Sequence, residues 1–326
     1  MKLEEIQKLA VQMGMEKDPR GKAEIKRLMA KNREKYDKLP EKEKQYFDVS
    51  GLDNPFPDSR ILVGDPKTEV RSVLVGIDME VPEVLLADRL REKGEAVDLI
   101  ISHHPEGQGL INLDKVMALQ ADEWYRHGVP INVGEALIGK RMQEIYRAFL
   151  PRNVERALDV ARLLDIPFMS MHTVADNQVY SYLSELFTRK KPHTVGDVID
   201  LLLEIPEYQA AARTQSGPVA IVGGRENRAG KVMVDMTGGT EGPQEILEKL
   251  AAAGVGTIVA MHYSEKHKEE AEKQKINVVI AGHIVSDSLG MNLILDRLEE
   301  KGVRILPVSG LVRVSRATKK GTRARS

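Results

Sequence analysis

The chain has 326 residues, a formal net charge of -1 and no cysteine. Without cysteine there are no disulfides, thiolate-held zinc or iron–sulfur clusters, and no thiol nucleophile, so any metal must rest on His, Asp or Glu. The near-neutral balance excludes a global field aimed at nucleic acid or membrane, and 42% hydrophobic but only 4% aromatic residues give a core of Leu, Ile, Val, Ala and Met, in two domains or one large α/β domain.

Residues 1–55 read as a helical extension. Residues 1–50 hold 13 Lys/Arg and 10 Asp/Glu. Ile6, Leu9, Ala10 and Met13 mark one helical stripe, Ile25, Leu28 and Met29 a second, and Pro40 opens a third short helix. The plain reading of the charges is a solvated face, and the sharper one a partner- or RNA-binding arm. The opening MKLEEIQKLAVQMG is too charged for a secretory leader. The longest apolar stretch, Ala251 to Met261, falls short of the ~18 residues a membrane span needs. Lack of cysteine fits a reducing compartment, so the expectation is a soluble cytoplasmic protein with no membrane partner. SGLDNPFPDSR follows as a Gly/Pro-rich linker.

From about residue 61 the pattern alternates. VRSVLVGID reads as a strand, VPEVLLADRLREKG as a helix ending at Gly94, and VDLIISH as a buried strand. INLDKVMALQADEWYRHG reads as one helix stopped by Gly128. VPINVGEAL is a short strand or a connector, and residues 136–165 are helical with a break near Pro151. IPFMSMH is a strand and NQVYSYLSELF a helix, closing a first α/β half over 56–190. The second half, 191–316, opens with the helix TVGDVIDLLLEI. PVAIVGG and KVMVDMTGG bracket RENRA as a hairpin, with Gly223-Gly224 at its turn. PQEILEKLAAAG, SEKHKEEAEKQK and DSLGMNLILDRLEEKG are helices, GTIVAMH and INVVIAGH strands, and VRILPVSGLVRV closes the fold. Residues 317–326 form a basic tail without apolar pattern, expected to be disordered. The fold class is therefore α/β, two α/β halves behind a helical extension.

Three strand ends carry chemistry. LIISHHP ends in His103 and His104. IPFMSMHTVAD ends in His172 and Asp176, and INVVIAGHIVSD in His283 and Asp287: two copies of strand, His-x-Val-x-Asp, helix. Ligands in open α/β sheets gather beyond the carboxyl ends of strands. His and Asp four residues apart share one helix face and reach one ion, and imidazole with carboxylate suits zinc, iron, manganese or nickel. Adjacent imidazoles diverge on an extended chain, and Pro105 biases His104 towards that conformation. One ion would need a bent backbone to catch both rings, whereas two ions ~3.5–4 Å apart take one each; two divalent ions are the preferred reading. His262, near a strand end, is a candidate to join the site, and His267, on a charged helix, is read as solvent-exposed. Thr237-Gly238-Gly239-Thr240 reads as a βα turn, or as an anion site at a helix start.

In these residues the chain resembles the Nif-three-like dinuclear metal-centre family, also called type 2 GTP cyclohydrolase I. The likeness is ordered: RILVGDPKTEVRSVLVGIDMEVPEVL, then DLIISHHP, MHTVAD, TGGT and AGHIVSD, spanning roughly 56–316. The resemblance implies a two-metal site in the cleft between the halves and a toroidal hexamer built from dimers. Carried over by motif, the ligands would be His103, His104, Asp176, His283 and Asp287, with His172 as a neighbour behind them; His262, from its strand-end position, is a further candidate neighbour. The family's last ligand is usually Glu, and Asp287 is one methylene shorter. Residues 1–50 and the stretch 106–165 fall outside the family pattern. The expected function is a metal-dependent hydrolase acting on an unidentified small molecule. The rivals are a non-catalytic metal-binding or scaffold protein, and a nucleic-acid-binding ring using the basic ends.

Overall fold

The computed structural model describes residues 1–318. It begins with α1 (Leu3–Glu16), α2 (Gly21–Asp37) and the short α3 (Glu41–Lys44), then β1 (Ile61–Val63), β2 (Ser72–Gly76), α4 (Val81–Glu92) and β3 (Leu99–Ser102). The stretch expected as one helix over 111–128 is broken into α5 (Gly107–Ile111), α6 (Leu113–Val116) and α7 (Leu119–Arg126). Next come α8 (Ile131–Phe149), α9 (Arg156–Leu163), β4 (Phe168–Ser170), α10 (Thr173–Lys190), α11 (Val195–Leu203) and α12 (Pro206–Arg213). The remainder is β5 (Val219–Val222), β6 (Lys231–Asp235), α13 (Ile246–Ala252), β7 (Val255–Ala260), α14 (Glu265–Gln274), β8 (Asn277–Ile280), α15 (His283–Glu300) and β9 (Arg304–Pro307). Most of the tail expected to be disordered, residues 319–326, lies outside the described residues.

Two sheets result, in the orders β1-β4-β3-β2-β9 and β5-β8-β7-β6. In the first, β4, β3, β2 and β9 run parallel and β1 is an antiparallel edge. In the second, β8, β7 and β6 run parallel and β5 is the antiparallel edge. Leaving β9 aside, the two sheets share one topology. The turn after β3 corresponds to the turn after β7, and the helix α10 after β4 to the helix α15 after β8.

Alternation along the strands sorts side chains into layers. Val73, Val75, Leu99 and Ile101 face α1, α10 and α15, while Leu74 and Ile100 face α4 and α9. In the second sheet Val234, Val259 and Val279 face α10, α15, α11 and α12, and Met233, Ile258 and Val278 face α7, α8, α13 and α14. Thus α10 and α15 lie between the two sheets. No helix among the described residues is long and apolar enough to cross a membrane.

Several expectations need correction. β5 and β6 are not a hairpin: they occupy opposite edges of the second sheet, with β8 and β7 between them. The RENRA segment runs past the starts of those strands, where Asn277 donates to the carbonyls of Arg228 (3.1 Å) and Gly256 (3.0 Å). A local apolar pattern cannot distinguish a turn from such a span. Residues 131–137 belong to α8, which Pro130 opens with φ -56° and ψ 135°. Gly134 sits against Ala121 of α7, where a Cβ would already be 3.3 Å away, and this packing selects helix. α1 buries Leu3, Ile6 and Ala10 in the first core, so only α2 and α3 project. β9 leaves the second half and pairs with β2.

Candidate metal centre

The backbone ladder continues beyond β3 before the chain bends: His103 N donates to Gly76 O and His104 N to Ile77 O, both at 2.9 Å. The bend brings the two rings to the same side, with centroids 5.2 Å apart and planes at 47°. His103 Nδ1 pairs with Met171 O at 3.1 Å. A carbonyl only accepts, so Nδ1 carries the proton and Nε2 presents a lone pair. His104 Nδ1 is likewise 2.7 Å from Asp78 Oδ1.

His172 precedes the first turn of α10 and Asp176 lies within it, while His283 opens α15 and Asp287 follows one turn later. Gly282 makes the sharp entry to α15 at φ 113°, a conformation that side chains resist. The two helices touch where Gly290 meets Ala175; a Cβ at Gly290 would stand 2.3 Å from Ala175 O. That contact brings both carboxylates to one imidazole. His103 Nε2 is 3.5 Å from Asp176 Oδ1 and 3.4 Å from Asp287 Oδ1. The other oxygen, Asp287 Oδ2, is 3.5 Å from both His104 Nε2 and His283 Nε2.

These separations are too long for good hydrogen bonds. A tetrahedral ion with ligands at about 2.0–2.1 Å sets neighbouring ligand atoms about 3.3–3.4 Å apart, which they match. His103 Nε2, Asp176 Oδ1 and both Asp287 oxygens are buried without a hydrogen-bond partner. Buried polar atoms are rarely left so, and a cation satisfies all of them together. One potential ligand atom from each of His103, His172 and Asp176 lies within 4.8 Å of the others, and the same holds for His103, His104 and Asp287.

The titration pattern of these groups follows from their crowding. Burial pushes Asp176 up to about 6, against the pull of His172 and His103. Burial also favours neutral Asp287, but His103, His104 and His283 outweigh it and hold that carboxyl far below its ordinary range. Burial opposes charge on His104, yet the neighbouring carboxylates of Asp287 and Asp78 carry it up to about 10. His283 is driven down to about 4 by burial, with Asp287 opposing.

All six strand-end residues singled out from the sequence therefore meet at one place: His103, His104, His172, Asp176, His283 and Asp287. His262 stands at the rim, its ring centroid 4.7 Å from that of His283 and its Nδ1 3.1 Å from Glu241 Oε1. His267 is buried rather than exposed, wedged between Ser264 Oγ (2.7 Å) and Gly242 O (2.9 Å); hydrogen bonds to both ring nitrogens offset its burial. The Thr237–Thr240 turn is held by Gln120, which donates to Gly238 O and Thr240 O at 2.7 Å each. An open pocket runs from the centre past this turn, Glu241 and His262.

Sequence reasoning missed the carboxylates behind the imidazoles. Asp78 lies just beyond β2, a strand-end position that flags it. Asp58 lies in the stretch read as linker, where nothing local marks it. Its buried carboxylate accepts from His172 Nδ1 (2.8 Å) and Thr173 Oγ1 (2.6 Å).

No protein-family model matches this sequence, and no curated protein does. Solved structures do. A NIF3 superfamily protein from Sphaerobacter thermophilus superposes with a TM-score of 0.69 at 27% identity, over 81% of this chain and 95% of that one. Reduced HcgD from Methanocaldococcus jannaschii superposes at 0.50 and 16% identity, over 76% of this chain and 87% of that one, a likeness of fold. The ordered histidine motifs, the paired α/β sheets and this structural likeness support a Nif3-like family assignment.

Proposed function

We propose that the chain is a dinuclear metal-dependent hydrolase acting on a small molecule. The observation that carries the proposal is the arrangement around Asp287. One of its oxygens faces His103 and the other faces His104 and His283, all at 3.4–3.5 Å. Although shorter than Glu, Asp287 would then serve both ions, one with each carboxylate oxygen. His103, Asp176 and Asp287 would hold one divalent ion, and His104, His283 and Asp287 the other. Such a pair supplies a water activated near neutral pH and a Lewis acid for the bond under attack.

The remaining roles fall to side chains around the opening. Asp78 fixes the His104 tautomer, leaving Nε2 for an ion. Glu241 holds the Nδ1 edge of His262, so the other edge of that ring is available to a substrate. The centre opens outward beside Thr237, Thr240, Glu241 and His262, a polar mouth that fits a polar small molecule such as a phosphoester, a nucleotide or a cyclic amide. GTP ring opening is one member of that set, and a hexamer in the cytosol is part of the same reading; light scattering measures the assembly.

The test uses protein purified with its native metal. Two ions per chain by elemental analysis, turnover in a hydrolytic screen, and loss of both turnover and one or more ions in a folded Asp287→Ala variant are expected. Two bound ions with no turnover across phosphoesters, nucleotides and cyclic amides would refute the hydrolase and leave a metal-binding protein.

A further inference from the structure

His172 is more than a neighbour of the centre. We propose that its Nε2 is a direct ligand of the ion held by His103, Asp176 and Asp287, giving that ion a complete four-residue set. The other ion, with only His104, His283 and Asp287, then faces the pocket with positions open. This assignment rests on the dinuclear reading above and adds a sixth protein ligand to it.

Three observations carry it. The first is the tautomer. His172 Nδ1 lies 2.8 Å from Asp58 Oδ2, and that carboxylate, fully buried, also accepts from Thr173 Oγ1. The ring proton therefore sits on Nδ1 and the lone pair of Nε2 points the other way, as in carboxylate–histidine pairs that support metals.

The second is what that lone pair meets. Nε2 is 3.8 Å from Asp176 Oδ2. That is beyond hydrogen-bond reach and leaves a lone pair facing a carboxylate, an arrangement that is repulsive unless a cation lies between them. The separation exceeds the ideal tetrahedral edge by only about 0.4–0.5 Å, within reach of a small χ adjustment. The His172 and His103 rings are 4.9 Å apart, so both can point at one ion.

The third is the internal repeat. α10 after β4 and α15 after β8 occupy equivalent places in the two sheets. Each begins with a histidine followed four residues later by aspartate: His172 with Asp176, and His283 with Asp287. The i,i+4 contacts match, 3.8 Å in one and 3.5 Å in the other. If His283 is a ligand, the same geometry makes His172 one. Exposure then separates the two ions. The His103, His172, Asp176 and Asp287 side chains are 1%, 8%, 6% and 0% exposed, against 29% for His104 and 39% for His283. A closed, buried ion beside an open, accessible one is the division expected of a structural and a reacting position.

The test titrates zinc into the full chain after chelator treatment, comparing wild type, His172→Ala, His172→Asn and Asp58→Asn. Asparagine places an amide nitrogen near the Nδ1 position, keeping a donor for Asp58 while deleting Nε2; circular dichroism and thermal unfolding confirm the fold. Both His172 variants should bind one zinc as tightly as wild type and the other at least tenfold more weakly. Asp58→Asn should weaken the same ion by about 10–100-fold. X-ray absorption on the two-zinc wild type should count about two imidazoles per zinc rather than about one and a half. Two zinc ions of wild-type affinity in folded His172→Asn, or an imidazole count near one and a half, would overturn the assignment. A wild type that holds only one ion would instead overturn the dinuclear reading; the role of His172 would then be decided by whether His172→Asn loses that ion.

Discussion

Replacing Gly290 by alanine perturbs a close contact between the two helices that carry Asp176 and Asp287. A methyl there would stand 2.3 Å from Ala175 O and 2.9 Å from its carbonyl carbon. Relief to ordinary contact requires α10 and α15 to part by about 1 Å. Both neighbours of the contact are site residues: Asp176 follows Ala175 directly, and Asp287 lies one turn before Gly290. Separating the helices therefore pulls apart carboxylates that now stand 3.5 and 3.4 Å from the same His103 nitrogen, and one of them leaves bonding range. Overpacking of this kind costs about 1–3 kcal/mol, whereas alanine's helix preference over glycine returns up to about 1 kcal/mol. Urea unfolding of the metal-free chain should show a net loss of about 1–2 kcal/mol, and zinc titration a loss of at least tenfold in affinity for one ion. A Gly290→Ala protein as stable as wild type, binding two ions at wild-type affinity, would refute the argument that this crossing positions the centre.

Zinc loading should release protons, because His104, carried up to about 10 despite its burial by Asp287 and Asp78, is cationic near neutrality in the metal-free chain. Affinity should climb between pH 6 and 8, and calorimetry in buffers of different ionisation enthalpy reads the proton count; a flat profile contradicts this. In the metal-free chain the same shift stabilises the fold fully below about pH 6.5, and that stabilisation fades as pH rises towards about 10. Glu123→Gln should stabilise the protein by about 1–2 kcal/mol at pH 8. Burial, helped by nearby Asp235, drives this carboxyl well above its ordinary value, and neither oxygen has a hydrogen-bond partner. A raised carboxyl weakens the fold as pH climbs beyond its unfolded value, so the advantage of Gln should vanish near pH 4; equal gains at both pH values contradict the reasoning.

The site was legible where its pattern is local. A buried strand, a histidine at its end and an aspartate one helical turn later are contiguous in the chain, and both copies lie where the α/β rule places ligands. His103 and His104 were readable for the same reason, although the bend that turns both rings inward follows from tertiary bonding to Gly76 and Ile77. Asp58 was not readable, because its role depends on a residue 114 positions away. The supposed hairpin failed on similar grounds: β5 meets β8, and nothing in PVAIVGG names that partner. His267 was misjudged because its partner Gly242 O comes from another segment.

The return of β9 to the first sheet has a consequence for how the molecule comes into being. Until residues 304–307 leave the ribosome, β2 is an uncovered strand edge, of the kind that pairs with other chains. His283 and Asp287 emerge only shortly before that cover arrives. The first sheet therefore cannot be completed until nearly all of the described chain has been made.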